Sequence, residues 1–501
     1  MRRSQQERRT PARRAEGGNE PSGGTPEELR DGLSMAPDLM LELARKAAEL
    51  AVGRIKGLPD EGAWDGEFRQ ILAEQLMENP PEDGQPAAAV MERAAREILP
   101  LALRLDHPRS FGFIPSSATW PGVLADFMAA AYNINQCTWL VASGPSQLEL
   151  VVIEWLRRWM GYPESAGGLL TSGGSAASLD ALVAAREAAG NPDRATVYMS
   201  DQSHSALRRA AMIIGVRPEC VRAVPSDSHS RLDMNALMDL VADDRATGFN
   251  PIAIAANAGA SSTGAIDPLE AMADYCEAES IWMHVDAAYG GFAIVTARGK
   301  ALLRGIERAD SIGLDAHKWF FQPYEAGALM VKDGRTLENA FAVHHDILQD
   351  TVWGANHPNF SDRGLQLSRS ARALKIWMSV QTFGMAAFRK AVSNGMELAD
   401  RAGEYVERSA VLELVHPVSL GVVCFRVNPA NTDLDENSLG EINKKVLVRS
   451  FWEDRAFMSS TMVQSVFSLR LCILNHTSTW DDVRQTLEVT EAFGQEALAD
   501  P

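Results

Sequence analysis

Between about residues 110 and 385, short apolar runs alternate with helical stretches. The runs predict strands at Gly168–Ser172, Ala195–Ser200, Pro251–Asn257, Ile281–Asp286, Ser311–Leu314 and Ala326–Val331. Parallel neighbours need a helical crossover, so this alternation predicts an α/β domain with a mostly parallel sheet. Ligands of such sheets sit beyond the carboxyl ends of the strands. The polar residues that follow each strand are therefore the ones to read for chemistry.

The flanks follow other patterns. From Leu33 to Pro59, Leu39, Leu41, Leu43, Ala44, Ala47, Ala48, Ala51 and Ile55 form a broad apolar stripe that Gly57 and Pro59 end. A second helical stretch covers about 87–104. This piece, 35–110, reads as a helical segment that packs on something else, such as a second subunit. The α/β domain takes 111–385. From 386 onward a long helix (Ala386 to Glu407) leads to predicted strands at Leu412–His416, Val422–Val427 and Ser468–Asn475, with a helix over 436–449. That reads as a small α+β domain, 386–501. Residues 1–34 read as a disordered tail, basic at its start: the first 14 residues carry six arginines and one Glu.

Composition narrows the function classes. There are 48 Lys+Arg and 66 Asp+Glu, a net charge of −18. Nucleic-acid binding needs a basic footprint, so none is expected. The five cysteines are odd in number and none pairs as CxxC. That argues against a disulfide framework and a thiolate zinc site, so no metal is expected. A reducing, cytoplasmic setting follows. No run of about 18 apolar residues occurs, so no membrane partner is expected.

Four strand ends carry chemistry. After Leu169-Leu170 comes Thr171-Ser172-Gly173-Gly174-Ser175, then a helix. Small residues at a helix start let N–H groups approach an anion, which the helix dipole favours. After the strand ending at Ser200 comes His204, an imidazole placed to stack on a flat ring or move protons. After His284-Val285 comes Asp286, then Ala287-Ala288-Tyr289-Gly290-Gly291. A carboxylate closing an apolar strand needs a cation or a protonated heterocycle. After Gly313-Leu314 comes Asp315-Ala316-His317-Lys318-Trp319. Desolvation there is expected to lower the lysine pKa and make a nucleophilic amine. A phosphate cup, a ring stacker, a strand-end Asp and a buried Lys are the contacts pyridoxal 5′-phosphate (PLP) needs.

These segments resemble those of the group II PLP decarboxylases, which include the aromatic-L-amino-acid and glutamate decarboxylases. His107-Pro108-Arg109-Ser110-Phe111-Gly112, Arg372-Ala373-Leu374-Lys375-Ile376-Trp377 and Leu469-Arg470-Leu471-Cys472 match as well. The likeness runs from about 35 to 495. It implies fold type I (aspartate-aminotransferase-like) with a seven-stranded type of sheet, and a homodimer with shared active sites. It implies that Lys318 holds the cofactor, that Asp286 pairs with the pyridine nitrogen and that His204 lies over the ring. Gly173, Gly174 and Ser175 would hold the phosphate, with Asp315 and His317 nearby. Ser261 falls where the family has a Thr close to the cofactor, and Ala288 would pack beneath the ring. Arg470 falls where family members bind the substrate carboxylate, for which an arginine fork is suited.

Two departures matter. The family's cup often has Glu after the Ser, and here Ala176 stands there. In this family the stretch matching His344 to Arg369 is a loop over the partner's active site. Its Tyr protonates the substrate carbon after CO2 leaves. Aligning back from Gln366-Leu367-Ser368-Arg369 puts Phe360 at that position. Residues 325–370 contain no Tyr, and Phe has no proton to give. Either another donor (His204, His345 or His357) completes an amine, or the carbon meets oxygen and yields an aldehyde, as in the related aromatic acetaldehyde synthases. Decarboxylation to the amine is the first reading.

Phe113-Ile114-Pro115-Ser116 with Trp120 predicts an apolar pocket wall suited to an aromatic side chain. No second substrate Arg is evident, so an aromatic amino acid (Trp, Phe, Tyr or DOPA) is expected ahead of a non-aromatic one such as glutamate. The rivals are an aldolase or desulfurase on the same fold, and a non-catalytic dimeric scaffold.

Overall fold

The computed structural model describes residues 32–343, 357–430, 433–453 and 456–499. The chain divides into two compact units: Met1–Leu58 with Asp65–Leu103, and Pro59–Trp64 with Arg104–Pro501. The basic tail and His345 lie outside the described residues.

The described part of the first unit is helical, with helices Pro37–Gly57, Arg69–Leu76 and Ala87–Arg93. The helix expected over 87–104 is α-helical to Arg93, widens to a π-turn over Ala94–Ile98 and closes in a 3-10 turn at Leu99–Leu101, where Pro100 has no N–H for a helix interior. The apolar stripe forms, yet none of the three helices buries a residue. Met40, Leu41, Val52, Ile55 and Ile71 stay exposed.

The second unit holds two sheets. The larger contains β1 (Gly167–Thr171), β2 (Ala195–Ser200), β3 (Val221–Val224), β4 (Asn250–Asn257), β5 (Trp282–Ala287), β6 (Ser311–Asp315) and β7 (Gly327–Val331). Their order is β1-β7-β6-β5-β4-β2-β3. β7 runs antiparallel to β1 and β6, and the other pairs are parallel. Six of the strands lie within one residue of the runs read from the sequence; β3 was not among them. Ala177, Ala181 and Ala184 of helix Gly174–Ala188 bury fully in the core over this sheet. Such small side chains let the helix start lie close to the strand ends.

The smaller sheet contains β8 (Leu412–Leu414), β9 (Val422–Val427), β10 (Ser459–Val463) and β11 (Val466–Cys472), in the antiparallel order β10-β11-β9-β8. Helix Ala373–Arg408 leads to it and breaks at Gly384, whose φ of 71° leaves the helical region. The boundary expected at 386 falls two residues beyond that break. Trp319 and Phe320, directly after Lys318, are fully buried against Tyr289 (5.5 Å between ring centroids) and Phe292 (4.5 Å). Each such side chain contributes about 1.5–3 kcal/mol by burial and fixes the backbone that carries the lysine. Among the described residues, no helix is long and apolar enough to cross a membrane.

Candidate active site

The four strand ends converge. Thr171 closes β1, and Gly173 follows with φ 157° before the helix begins at Gly174. A Cβ on Gly173 would lie 3.2 Å from the His317 ring, and one on Gly174 would lie 2.9 Å from Ala288 Cβ and 3.3 Å from Asp315 Oδ2. Only glycine lets these neighbours approach the helix start this closely. First-turn N–H groups have no intrahelical partner, and the positive end of the helix faces that cradle. Ser175 sits in the exposed first turn.

Asp286 accepts a hydrogen bond from the Ala288 N–H at 3.1 Å. Burial raises its pKa, and the Lys318 charge acts against that rise. Among the described residues it has no ion pair with an arginine or lysine. A protonated ring nitrogen opposite this carboxylate would supply the missing charge.

Asp315 closes β6 and is buried. Its Oδ2 lies 2.9 Å from Lys318 Nζ, and its buried Oδ1 has no hydrogen-bond partner among the described residues. Burial acts to lower the Lys318 pKa, but the Asp315 charge and hydrogen bond, then Asp286 and Tyr324, outweigh it and hold the ammonium above its ordinary value. The expectation of a desolvated, lowered lysine is thus corrected: two carboxylates win over burial. His317 is buried and its pKa is lowered by burial; its Nδ1 accepts from the Ala326 N–H at 3.1 Å.

His204 caps helix Ser205–Ile213, its Nδ1 accepting from the Ala206 N–H at 3.2 Å. In the neutral ring that contact leaves the proton on Nε2. The His204 charge acts on Asp286 to lower its pKa, a smaller influence than burial or the Lys318 charge. Ser261 lies in the turn that the Gly264 N–H closes onto the Ala260 carbonyl at 2.7 Å.

Arg470 is buried on β11 and has no carboxylate partner among the described residues. Its Nε donates to the Ser262 carbonyl at 3.0 Å, and its Nη1 to the Phe113 carbonyl at 2.5 Å and Ser459 Oγ at 3.2 Å. Its Nη2 is buried with no oxygen or nitrogen partner among the described residues. A guanidinium braced on two carbonyls with a spare nitrogen can take an incoming carboxylate. The exposed Phe113 ring tilts on Phe457 at 5.7 Å, with Ile114 half-buried and Pro115 buried beside it. Trp120 opens helix Trp120–Ala131, which packs at Gly122 against Pro323.

Phe360 is placed elsewhere. It is 1% exposed, within a 3-10 turn in the main core, with the Arg369 guanidinium 4.9 Å from its ring. A buried ring held by its own core is not poised at a site. Phe360, the residue that aligns with the family's tyrosine, is thus a core residue of this chain. His357 stacks on Trp139 at 4.4 Å.

Two groups were not singled out by sequence. Glu149, in the middle of helix Ser143–Met160, reads as a surface charge. Instead it is fully buried, 2.6 Å from Arg369, and accepts from the Leu170 N–H at 2.7 Å on the strand that leads to the cup. Tyr324 lies six residues after Lys318, its ring 4.4 Å from His317.

A glycine-lined helix start, an unpaired strand-end carboxylate and a lysine ringed by aspartates fit PLP, and with the mixed seven-stranded sheet they define a PLP enzyme of fold type I. The chain matches the pyridoxal-dependent decarboxylase conserved domain over residues 70–428. It is 34% identical over 474 residues to an aromatic-L-amino-acid decarboxylase of Bacillus atrophaeus, covering 93% of this chain and 98% of that protein. It is 28% identical over 422 residues to a phenylacetaldehyde synthase of Petunia hybrida, covering 80% and 83%. The crystal structure of Oryza sativa TDC with PLP and tryptamine superposes with a TM-score of 0.89 at 25% identity, covering 93% of this chain and 99% of that one. This chain belongs to the pyridoxal-dependent decarboxylase family and is a PLP-dependent carboxy-lyase acting on an amino acid.

Proposed function

We propose that the protein decarboxylates an aromatic L-amino acid to the corresponding amine. The observation that carries this is Arg470: a buried cation with a spare nitrogen, bonded to the carbonyl of Phe113, whose ring lies on Phe457. A carboxylate anchor beside an aromatic wall suits a substrate that is anionic at one end and flat at the other. The names of similar proteins support an aromatic substrate, and they include amine-forming and aldehyde-forming enzymes alike.

Bound PLP supplies an electron sink for the bond that breaks. Lys318 would hold the cofactor through its amine, and Asp286 would keep a proton at the ring nitrogen. The cup at Gly173, Gly174 and Ser175 would hold the phosphate through helix-start N–H groups, and His204 would face the ring. Arg470 would hold the carboxylate of the amino acid through its spare nitrogen, the role a planar guanidinium fork suits. The exposed apolar helices of the first unit support a homodimer, as the family resemblance implies; light scattering of the full chain would read the mass directly.

The test of substrate class is kcat/KM with Trp, Phe, Tyr and DOPA against glutamate. A preference of about 100-fold or more for an aromatic is expected, because glutamate leaves a second carboxylate unpaired on an apolar wall. A preference for glutamate would overturn the reading.

A further inference from the structure

Amine formation needs a proton for the carbon that loses CO2, and residues 325–370 hold no tyrosine to give it. All seven tyrosines of the chain lie among the described residues. Four hydroxyls are engaged elsewhere: Tyr162 on the Ala309 carbonyl, Tyr198 on Asp244, Tyr289 on the Gly421 N–H and Tyr405 on Glu491. Tyr275 sits in helix Leu269–Glu279 beside Glu279 and Arg245, and Tyr132 caps the far end of helix Trp120–Ala131.

Tyr324 is the remaining one, and it belongs to the lysine's own strand end. Its ring lies 4.4 Å from His317, the residue before Lys318. It is 55% exposed, and its hydroxyl has no protein partner among the described residues. The segment carrying it is clamped. Lys375 Nζ donates to the Pro323 and Glu325 carbonyls at 3.2 Å, and itself pairs with Asp126 at 2.8 Å. Arg372 pairs with Glu325 at 2.6 Å, and Ser379 Oγ donates to Gln322 Oε1 at 3.1 Å. The His317 N–H donates to the Ala326 carbonyl at 3.1 Å, and the Ala326 N–H returns to His317 Nδ1. Thus the Arg372–Trp377 match serves to hold a phenol beside the lysine, with one edge open.

Resting on the amine-forming reading above, we propose that Tyr324 is the acid that gives the substrate carbon its proton after CO2 departs. The tyrosine O–H bond breaks as the electron pair left by CO2 forms the new C–H bond. The phenolate then recovers a proton from solvent at its open edge. Burial and the Asp315 charge raise the phenol pKa and Lys318 opposes, so the hydroxyl keeps its proton at neutral pH. Without that proton, dioxygen and water take over as co-reactants and leave aldehyde, ammonia and hydrogen peroxide.

The test compares wild type with Tyr324→Phe, as cofactor-loaded full chains, on an aromatic amino acid. CO2, amine, aldehyde and peroxide are quantified, along with cofactor affinity and the cofactor's visible absorbance from pH 7 to 11. Expected is a fall of about 100-fold in amine formation at unchanged cofactor affinity, with aldehyde and peroxide replacing the amine. An alkaline absorbance step in wild type should be missing from Tyr324→Phe. Amine from both enzymes at equal rates overturns the role while leaving the amine reading intact. Aldehyde and peroxide from wild type itself overturn both. If Tyr324→Phe fails to hold cofactor, Tyr324→His decides: amine formation with its pH optimum moved down supports the role, and an unmoved optimum overturns it.

Discussion

Lys318 Nζ and Asp315 Oδ2 lie 2.9 Å apart at the end of one buried strand, so the amine proposed to carry the cofactor is protonated where burial alone would strip it. The strand end does this by geometry: only two residues separate the pair in sequence, and the turn after β6 folds the lysine back onto the carboxylate.

Asp315→Asn should therefore change Lys318 in a defined direction. The folded pKa is raised above the ordinary 10.5, so the pair stabilises the fold fully below that pH. That stabilisation is lost as pH rises through the higher folded value. The melting-temperature gap between wild type and Asp315→Asn should hold from pH 7 to about 10 and close at higher pH. In the variant burial is opposed only by Asp286 and Tyr324, so the pH midpoint for cofactor attachment should fall. A gap that widens with rising pH contradicts this.

Asp286→Asn separates stability from activity. Burial raises the Asp286 pKa, which means the charged form is costly in the cofactor-free protein. The neutral amide removes that cost. Cofactor-free Asp286→Asn should melt no lower than wild type, while kcat of the loaded enzyme drops by about 100-fold or more. Calorimetry and initial rates check the two halves separately.

Arg470→Lys keeps a charge but loses the planar fork. KM for the amino acid should rise by about tenfold or more, because a single buried hydrogen-bonded charge contact contributes about 1.5–3 kcal/mol. Binding of the amine product, which lacks the carboxylate, should change little. Equal losses for both ligands would show that Arg470 acts only as a brace for Phe113 and Ser262.

Glu149→Gln should destabilise by about 3–5 kcal/mol, because Arg369 is left as an uncompensated buried charge beneath β1. Phe360→Tyr should leave the amine-to-aldehyde ratio unchanged, since that ring is packed in the core. Urea unfolding and product analysis read the two outcomes.

Much of this architecture was legible because burial leaves a pattern. β2 and β9 match the sequence reading to the residue, since both are six-residue, mostly apolar runs buried along their whole length. β3 was missed because Val221-Arg222-Ala223-Val224 is only four residues long and carries a charge. β10 was missed because Ser459-Ser460-Thr461 looks like a loop and pairs only along β11. At the site, the glycines, Asp286 and Lys318 stood out because their residue types are unusual at strand ends. Glu149 did not, because a carboxylate in a helix says nothing about its partner 220 residues away. Tyr324 does not stand out because it lies in the turn between β6 and β7, outside the stretch His344 to Arg369 where the resemblance leads one to expect a tyrosine.

The central claim is tested most directly by the carbon balance of the wild-type holoenzyme on an aromatic amino acid. The account predicts one amine for each CO2 released, with no peroxide. CO2 accompanied by aldehyde and peroxide, or no CO2 from any aromatic amino acid, would contradict it.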